Sequence, residues 1–320
     1  MTSGKEERRV YVHEPVLLEQ TLSLLLPERQ GPVLVDATLG EGGHAAAFLA
    51  ADPRLVLVGI EKDQEILDKA RERLKHFEER AHLFRSGFRE FFERYDELVA
   101  RRPGRIFFDL GVSMFHFQVA GRGFSFSRDE PLDMRLDKAQ EVNAADMVNT
   151  ASEAQLRELI RRGGGERLAA MIAKAIVRER TRTPIHSSRS LAEIIWKAVP
   201  PSYRYRRLHP ATRTFQALRI TVNNELEELE AALPRAFELL TVGGRMGIIS
   251  FHSLEDRIVK RFFQECNKSC TCPPESPICQ CGGRRRAVIL TRKPVLPAPT
   301  EVARNPASRS ARLRVVEKIA

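Results

Sequence analysis

The first third of the chain alternates short apolar runs with helix-like segments, and few folds accept that pattern. "PVLVDA" reads as a buried strand and "GHAAAFLAAD" as the helix after it. "RLVLVGIEKD" is a second strand, followed by "QEILDKARERLKHFEER", a helix with Ile66, Leu67, Ala70 and Leu74 on one face. "AHLFRSGF" and "RIFFDLGV" supply two more strands. Such alternation predicts an α/β fold whose mostly parallel sheet is covered on both faces. From about residue 125 to 210 helices and loops replace strands. Ser152 with Gln155 and Ser190 with Glu193 fit capping boxes, and "GGG" at 163–165 separates two helices. Leu168, Met171, Ile172, Ala175 and Ile176 form a core stripe. Strand character returns at "GRMGIISFHS", after the long helical run "TFQALRITVNNELEELEAALPRAFELL", and again at "AVILTRK" and "RLRVVEKI". The organisation expected is one discontinuous α/β domain, residues 1–124 and 211–320, interrupted by a helical domain at 125–210.

"DATLGEGGH" (36–44) follows the first strand. Gly40, Gly42 and Gly43 let a ligand approach the backbone at the strand's carboxyl end. Glu61 closes the next strand, about where dinucleotide folds place the acid that binds ribose hydroxyls. Asp36 and Glu41 would repel phosphates, and no Lys-Ser/Thr follows the glycines, which excludes a P-loop. Acids suit a ligand with a ribose and a cationic end but no phosphate. S-adenosylmethionine, with its sulfonium and α-ammonium groups, has that character; NAD, FAD and ATP do not. Asp109 ends the fourth strand in "DLGVS", beside the same crevice.

Hydrophobic residues make up 42% and charged residues 29%, an ordinary globular balance. No apolar stretch approaches the roughly 18–20 residues that span a bilayer. "MTSGKEERRVYVHEP" lacks the apolar centre of a signal peptide, so a cytoplasmic protein is expected. The net charge of +10 is concentrated: residues 260–320 hold 13 Lys/Arg against 4 Asp/Glu. A basic end on a near-neutral body points to a polyanion. All five cysteines fall within residues 266–281, which is not a disulfide framework. Cys270, Cys272, Cys279 and Cys281 form two CxC pairs, whereas zinc pairs are usually separated by about two to four residues. No metal is therefore expected, and reduced thiols in a surface loop are the simpler reading.

Eight blocks carry a resemblance to a known family: "HEPVLL" (13–18), "DATLGEGGH", "DLGVS" (109–113), "RGFSFSRDEPLDMRLD" (122–137), "GGGERLA" (163–169), "HPATRTFQALRITVNNELEEL" (209–229), "GGRMGIISFHSLEDRIVK" (243–260) and "NPASRSARLRVVEK" (305–318). Over nearly its full length the chain resembles the RsmH (MraW) family, the small-subunit ribosomal RNA cytosine-N4 methyltransferases. The resemblance implies a class I S-adenosylmethionine-dependent methyltransferase fold, Rossmann-like with an inserted helical domain. It also implies methyl transfer to the exocyclic N4 of one decoding-centre cytidine of 16S ribosomal RNA. Carried over by position, the cofactor contacts are Gly42, Gly43, His44, Glu61, Phe88 and Asp109. The family commonly has aspartate where Glu61 stands. It usually reads "SPQL" where this chain has "MFHF", which puts His116 in the place of a cofactor-binding glutamine.

Methyl transfer from a sulfonium is an in-line displacement governed by positioning and electrostatics. The cytosine amine is a poor nucleophile because its lone pair is delocalised, so an acceptor at its N–H assists. The chain has no Asp/Asn/Ser-Pro-Pro-aromatic loop for this, which leaves Asp109 as the catalytic candidate, with Ser113 and Asn223 behind it. A target base must also be unstacked and held. Arg122, Phe124, Phe126 and Arg135 are candidates, with core packing the alternative for the two phenylalanines. "SYRYRRLHPATR" (202–213) interleaves Tyr203 and Tyr205 with Arg204, Arg206, Arg207 and Arg213, a pattern suited to phosphates and stacked bases. Asn223 and His252 complete the RNA candidates. The expected partner is 16S ribosomal RNA in the small subunit, with no membrane and with a homodimer among the open oligomeric states. A non-catalytic RNA-binding assembly factor that kept the fold is the rival reading.

Overall fold

The computed structural model describes residues 14–26, 31–270 and 283–320. The apolar runs become seven strands: Val33–Asp36 (β1), Val56–Glu61 (β2), Ala81–Arg85 (β3), Arg105–Asp109 (β4), Arg245–Ser250 (β5), Ala287–Ile289 (β6) and Arg312–Lys318 (β7). They form one sheet in the order β3-β2-β1-β4-β5-β7-β6. β1 to β5 pair in parallel, and β7 runs antiparallel to both β5 and β6.

Alternate residues on each strand face opposite sides of a sheet, and the packing follows that period. Val33, Val35, Val58, Ile60, Ile106 and Phe108 join a core with Phe237 and Phe263. Leu34, Leu57 and Phe107 join a separate one with Phe48, Leu67 and Leu74. A third core gathers residues between Phe124 and Val222, including Leu156, Ile172, Leu191 and Phe215. Helix Thr212–Asn223 contributes Phe215, Leu218 and Val222 to this third core. Helix Glu153–Gly164 crosses it closely. A Cβ on Gly164 would lie 2.3 Å from the Arg213 carbonyl oxygen, so only glycine permits the approach.

Three local expectations change. The long helical run breaks at Asn224, whose left-handed backbone (φ 52°) caps helix 212–223 before helix Glu225–Leu239 begins. Helix Ser188–Ala198 is capped by Ser187, not Ser190. A bridge between Pro131 and Ser187 keeps the chain extended to that point, and the Ser188 amide donates to the Glu130 carbonyl at 2.9 Å. In the predicted core stripe Met171 is 44% exposed, while Ala169 and Ala173 turn inward. The Ser152–Gln155 capping box forms as expected. Among the described residues no helix is long and apolar enough to cross a membrane.

Candidate active site

Three adjacent parallel strands end in a carboxylate: Asp36 on β1, Glu61 on β2 and Asp109 on β4. Strand order reverses between β1 and β4, where ligands of open α/β sheets bind. Here lies a cavity of about 390 Å³ lined by Gly40, Gly43, His44, Glu61, Phe88, Asp109 and His116, among others. Gly40 (φ 54°) and Gly42 (φ 77°) hold the turn after β1 in a left-handed shape that favours glycine. Gly42 faces Leu74 and Ala70 of the neighbouring helix rather than the cavity.

The carboxylates are held by backbone. Glu61 accepts from the Gly40 amide at 3.0 Å and the Asp63 amide at 2.8 Å. Burial pushes its carboxyl up to about 7. Asp36 accepts from the Thr38 amide at 3.2 Å, and burial also raises it to about 7. Asp109 is raised well above the ordinary range, first by burial and then by the charges of Asp36 and Glu255. Its Oδ2 lies 3.4 Å from His44 Nδ1, and its Oδ1 is buried with no hydrogen-bond partner among the described residues. His44 donates through Nε2 to the Val16 carbonyl at 2.9 Å. A cation in this cavity would relieve the repulsion among these acids; a phosphate would add to it.

The opposite wall comes from segments whose role no local spacing announces. Arg219 makes a two-pronged ion pair with Glu225, both contacts at 2.8 Å, and both residues line the cavity. Glu255 accepts from the Phe251 and His252 amides and lies 3.0 Å from His252 Nε2. Burial alone would raise Glu255, but His252 and Arg219 outweigh it and hold it below the ordinary range. Glu225, His252 and Glu255 each bring one potential metal-ligand atom within 4.8 Å of the others. Arg219 already pairs with Glu225, and Glu255 already accepts from two backbone amides. Lys62, the other cation at the cavity, is paired with Glu228 at 3.1 Å. No cation here is left open for a phosphate.

The remaining sequence candidates separate by position. Ser113 donates to Glu41 at 3.2 Å and caps the next helix. Asn223 lines the cavity, but its amide accepts from the Leu136 N–H and donates to the carbonyls of Met134 and Arg219. Arg122, 4% exposed, donates to Asp63 at 2.6 Å, and His116 meets the same carboxylate at 3.0 Å. Burial would raise Asp63, yet His116 and Arg122 together hold it well below the ordinary range. Phe124 is 4% exposed and belongs to the third core, with Phe126 packed against it. Arg135 pairs with Asp133. His252 caps helix Ser253–Asn267. Arg207 is exposed, and Arg213, half-buried, donates to the Gly165 carbonyl. Cys270 is exposed, whereas Cys272, Cys279 and Cys281 lie outside the described residues.

Strand order, a single reversed strand near one edge and an acid-lined crevice at the switch point together define a class I methyltransferase fold. The chain belongs to the MraW methylase family, whose model matches residues 10–319. It is 51% identical over 308 residues to the ribosomal RNA small subunit methyltransferase H of Treponema denticola, covering 96% of this chain and 98% of that one. The protein of the same name from Syntrophobacter fumaroxidans is 48% identical, with 96% of each chain covered. Among solved structures, an rRNA methylase from Streptococcus thermophilus aligns over 95% of this chain and 94% of its own, at 13% identity and TM-score 0.41.

Proposed function

We propose that this protein transfers the methyl group of S-adenosylmethionine to the exocyclic N4 of a decoding-centre cytidine in 16S ribosomal RNA. One observation carries the reading: neighbouring strands bring Glu61 and Asp109 to the wall of a single cavity, with buried Asp36 on the strand between them and both lining cations, Lys62 and Arg219, already paired. That setting fits a cationic, phosphate-free nucleoside. Family membership and the names of the relatives support small-subunit RNA as the methyl acceptor.

In this reading Glu61 receives the ribose hydroxyls, and Gly43 and His44 border the methionine end. Phe88 and His116 contact the nucleoside from the far side. S-adenosylmethionine supplies an activated methyl on a sulfonium. Asp109, with one carboxylate oxygen free of partners, accepts the cytosine N4–H, directs the nitrogen lone pair toward the methyl carbon and takes the proton the amine sheds. Ser113 and Asn223, both committed elsewhere, hold the walls in place. The helical segment at 125–210 and the RNA candidates on it meet the strand that carries the target base.

The test is label transfer from methyl-tritiated S-adenosylmethionine to small subunits lacking the modification, followed by nucleoside analysis. N4-methylcytidine is expected. Asp109→Asn should lower the single-turnover rate by about 10²- to 10⁴-fold while leaving cofactor binding measurable. Label on another base would overturn the N4 assignment. RNA binding with no transfer would establish the assembly-factor reading.

A further inference from the structure

A column of aromatic rings runs from the third core to the surface and takes no part in the cavity. Phe126 packs edge-on against Phe215 at 5.1 Å and stacks on His209 at 4.6 Å. His209 stacks in turn on Trp196, with ring centres 5.2 Å apart and planes 19° from parallel. Tyr205 closes the column edge-on to Trp196 at 6.0 Å. It is 83% exposed. Tyr203, two residues earlier, points the other way and donates its hydroxyl to buried Glu166 at 2.7 Å, which anchors the loop. The loop is therefore fixed while Tyr205 stands in solvent.

Arginines cluster around Tyr205, and the nearby carboxylates are taken up by Tyr203 and Lys197. Arg204 lies over the Trp196 ring at 5.9 Å, and Arg206 over Tyr203 at 4.4 Å. Arg206 and Arg207 are exposed. Among the described residues, neither these three arginines nor Arg213 pairs with a carboxylate, whereas Arg161 and Arg178 on the preceding helices, and Arg182 in the turn after them, do. A rigid exposed ring among unpaired guanidinium groups suits a polyanion that also offers flat faces. Single-stranded nucleic acid has both; a duplex hides its faces, and an acidic peptide lacks them.

We propose that Tyr205, backed by Trp196, is a stacking platform for an unpaired RNA base, with Arg206 and Arg207 on the flanking phosphates. The proposal rests on RNA being the substrate and adds a second contact, separate from the pocket for the target base. Trp196 is the only tryptophan in the chain, so its fluorescence reports directly on this site.

The experiment titrates the full-length protein with an unstructured RNA of about ten nucleotides, within the usual span of such sites. Saturable quenching of Trp196 is expected. Tyr205→Ala should weaken binding by about 5- to 100-fold, the range of one lost base stack, and Tyr205→Phe should restore it. In methylation assays Tyr205→Ala should raise KM for subunits, with kcat and S-adenosylmethionine affinity unchanged. No quenching, equal binding by Tyr205→Ala, or a duplex that binds with the same Tyr205 dependence would each overturn the platform. If wild type methylates subunits and Tyr205→Ala matches it in KM and RNA affinity, the platform alone fails. If wild type transfers no methyl group, the proposed function fails instead, and quenching still judges the platform.

Discussion

Asp36 and Glu61 keep their protons in the folded chain up to about 7, against ordinary values of 3.8 and 4.5. Between those limits the folded state binds more protons than the unfolded one, so these two groups make stability fall as pH rises toward 7. Glu61→Gln removes one of them. Its melting temperature relative to wild type should improve as pH goes from 5 to about 8, over the window set by that shift. Ligand binding runs the opposite way, because a ribose hydroxyl and a cation both favour the ionised carboxylate. S-adenosylmethionine should bind wild type more tightly as pH rises through about 7, and Glu61→Gln should flatten that profile in calorimetry. Glu61 and Asp109 were legible because each ends an apolar run. Arg219, Glu225 and Glu255 were not. They reach the cavity from two helices and from the first turn of the helix after β5, and no spacing within "RITVNNELEEL" or "SLEDR" encodes that meeting.

Single elements show where local rules suffice and where contacts override them. Ser152 starts its helix as the capping-box pattern requires, since nothing else constrains the turn. Ser190 and Glu193 satisfy the same pattern, yet the Pro131–Ser187 bridge and the Glu130–Ser188 hydrogen bonds set the helix start three residues earlier. Ser187→Ala should therefore cost about 0.5–2 kcal/mol in denaturant unfolding, while Ser190→Ala stays near neutral. Asn223 is a second such case. It ties residues 134 and 136 to helix 212–223 through buried bonds. Asn223→Ala leaves the Leu136 N–H and the Met134 carbonyl unpaired, at a cost of about 1–3 kcal/mol each. Amide exchange at Leu136 should rise sharply in that variant. Slow exchange there would show that the tie is dispensable.

At the scale of the molecule, charge and topology act over longer distances. The net charge of +10 is carried largely by residues 260–320, and that asymmetry needed no structure to read. Affinity for small-subunit RNA should fall steeply as salt rises, by roughly one power of concentration per neutralised phosphate, whereas S-adenosylmethionine affinity should change little. The alternation of strands and helices was legible for the same reason as the charge, because it is written in contiguous residues. The sheet order is not contiguous. Asp109 is paired with Ile249, and every residue of the third core lies between them in sequence. Joining β4 to β5 means closing that whole span, an entropic cost met before any contact across the strands is gained. The Asn223–Leu136 bond spans 87 residues of it. Made first, it more than halves the chain still to be closed, and each halving is worth about 0.6 kcal/mol. The polar tie that shapes the cavity wall thus lowers the entropic cost of one order of assembly, in which the helical core gathers before the crevice at the carboxyl ends of β4 and β5 closes.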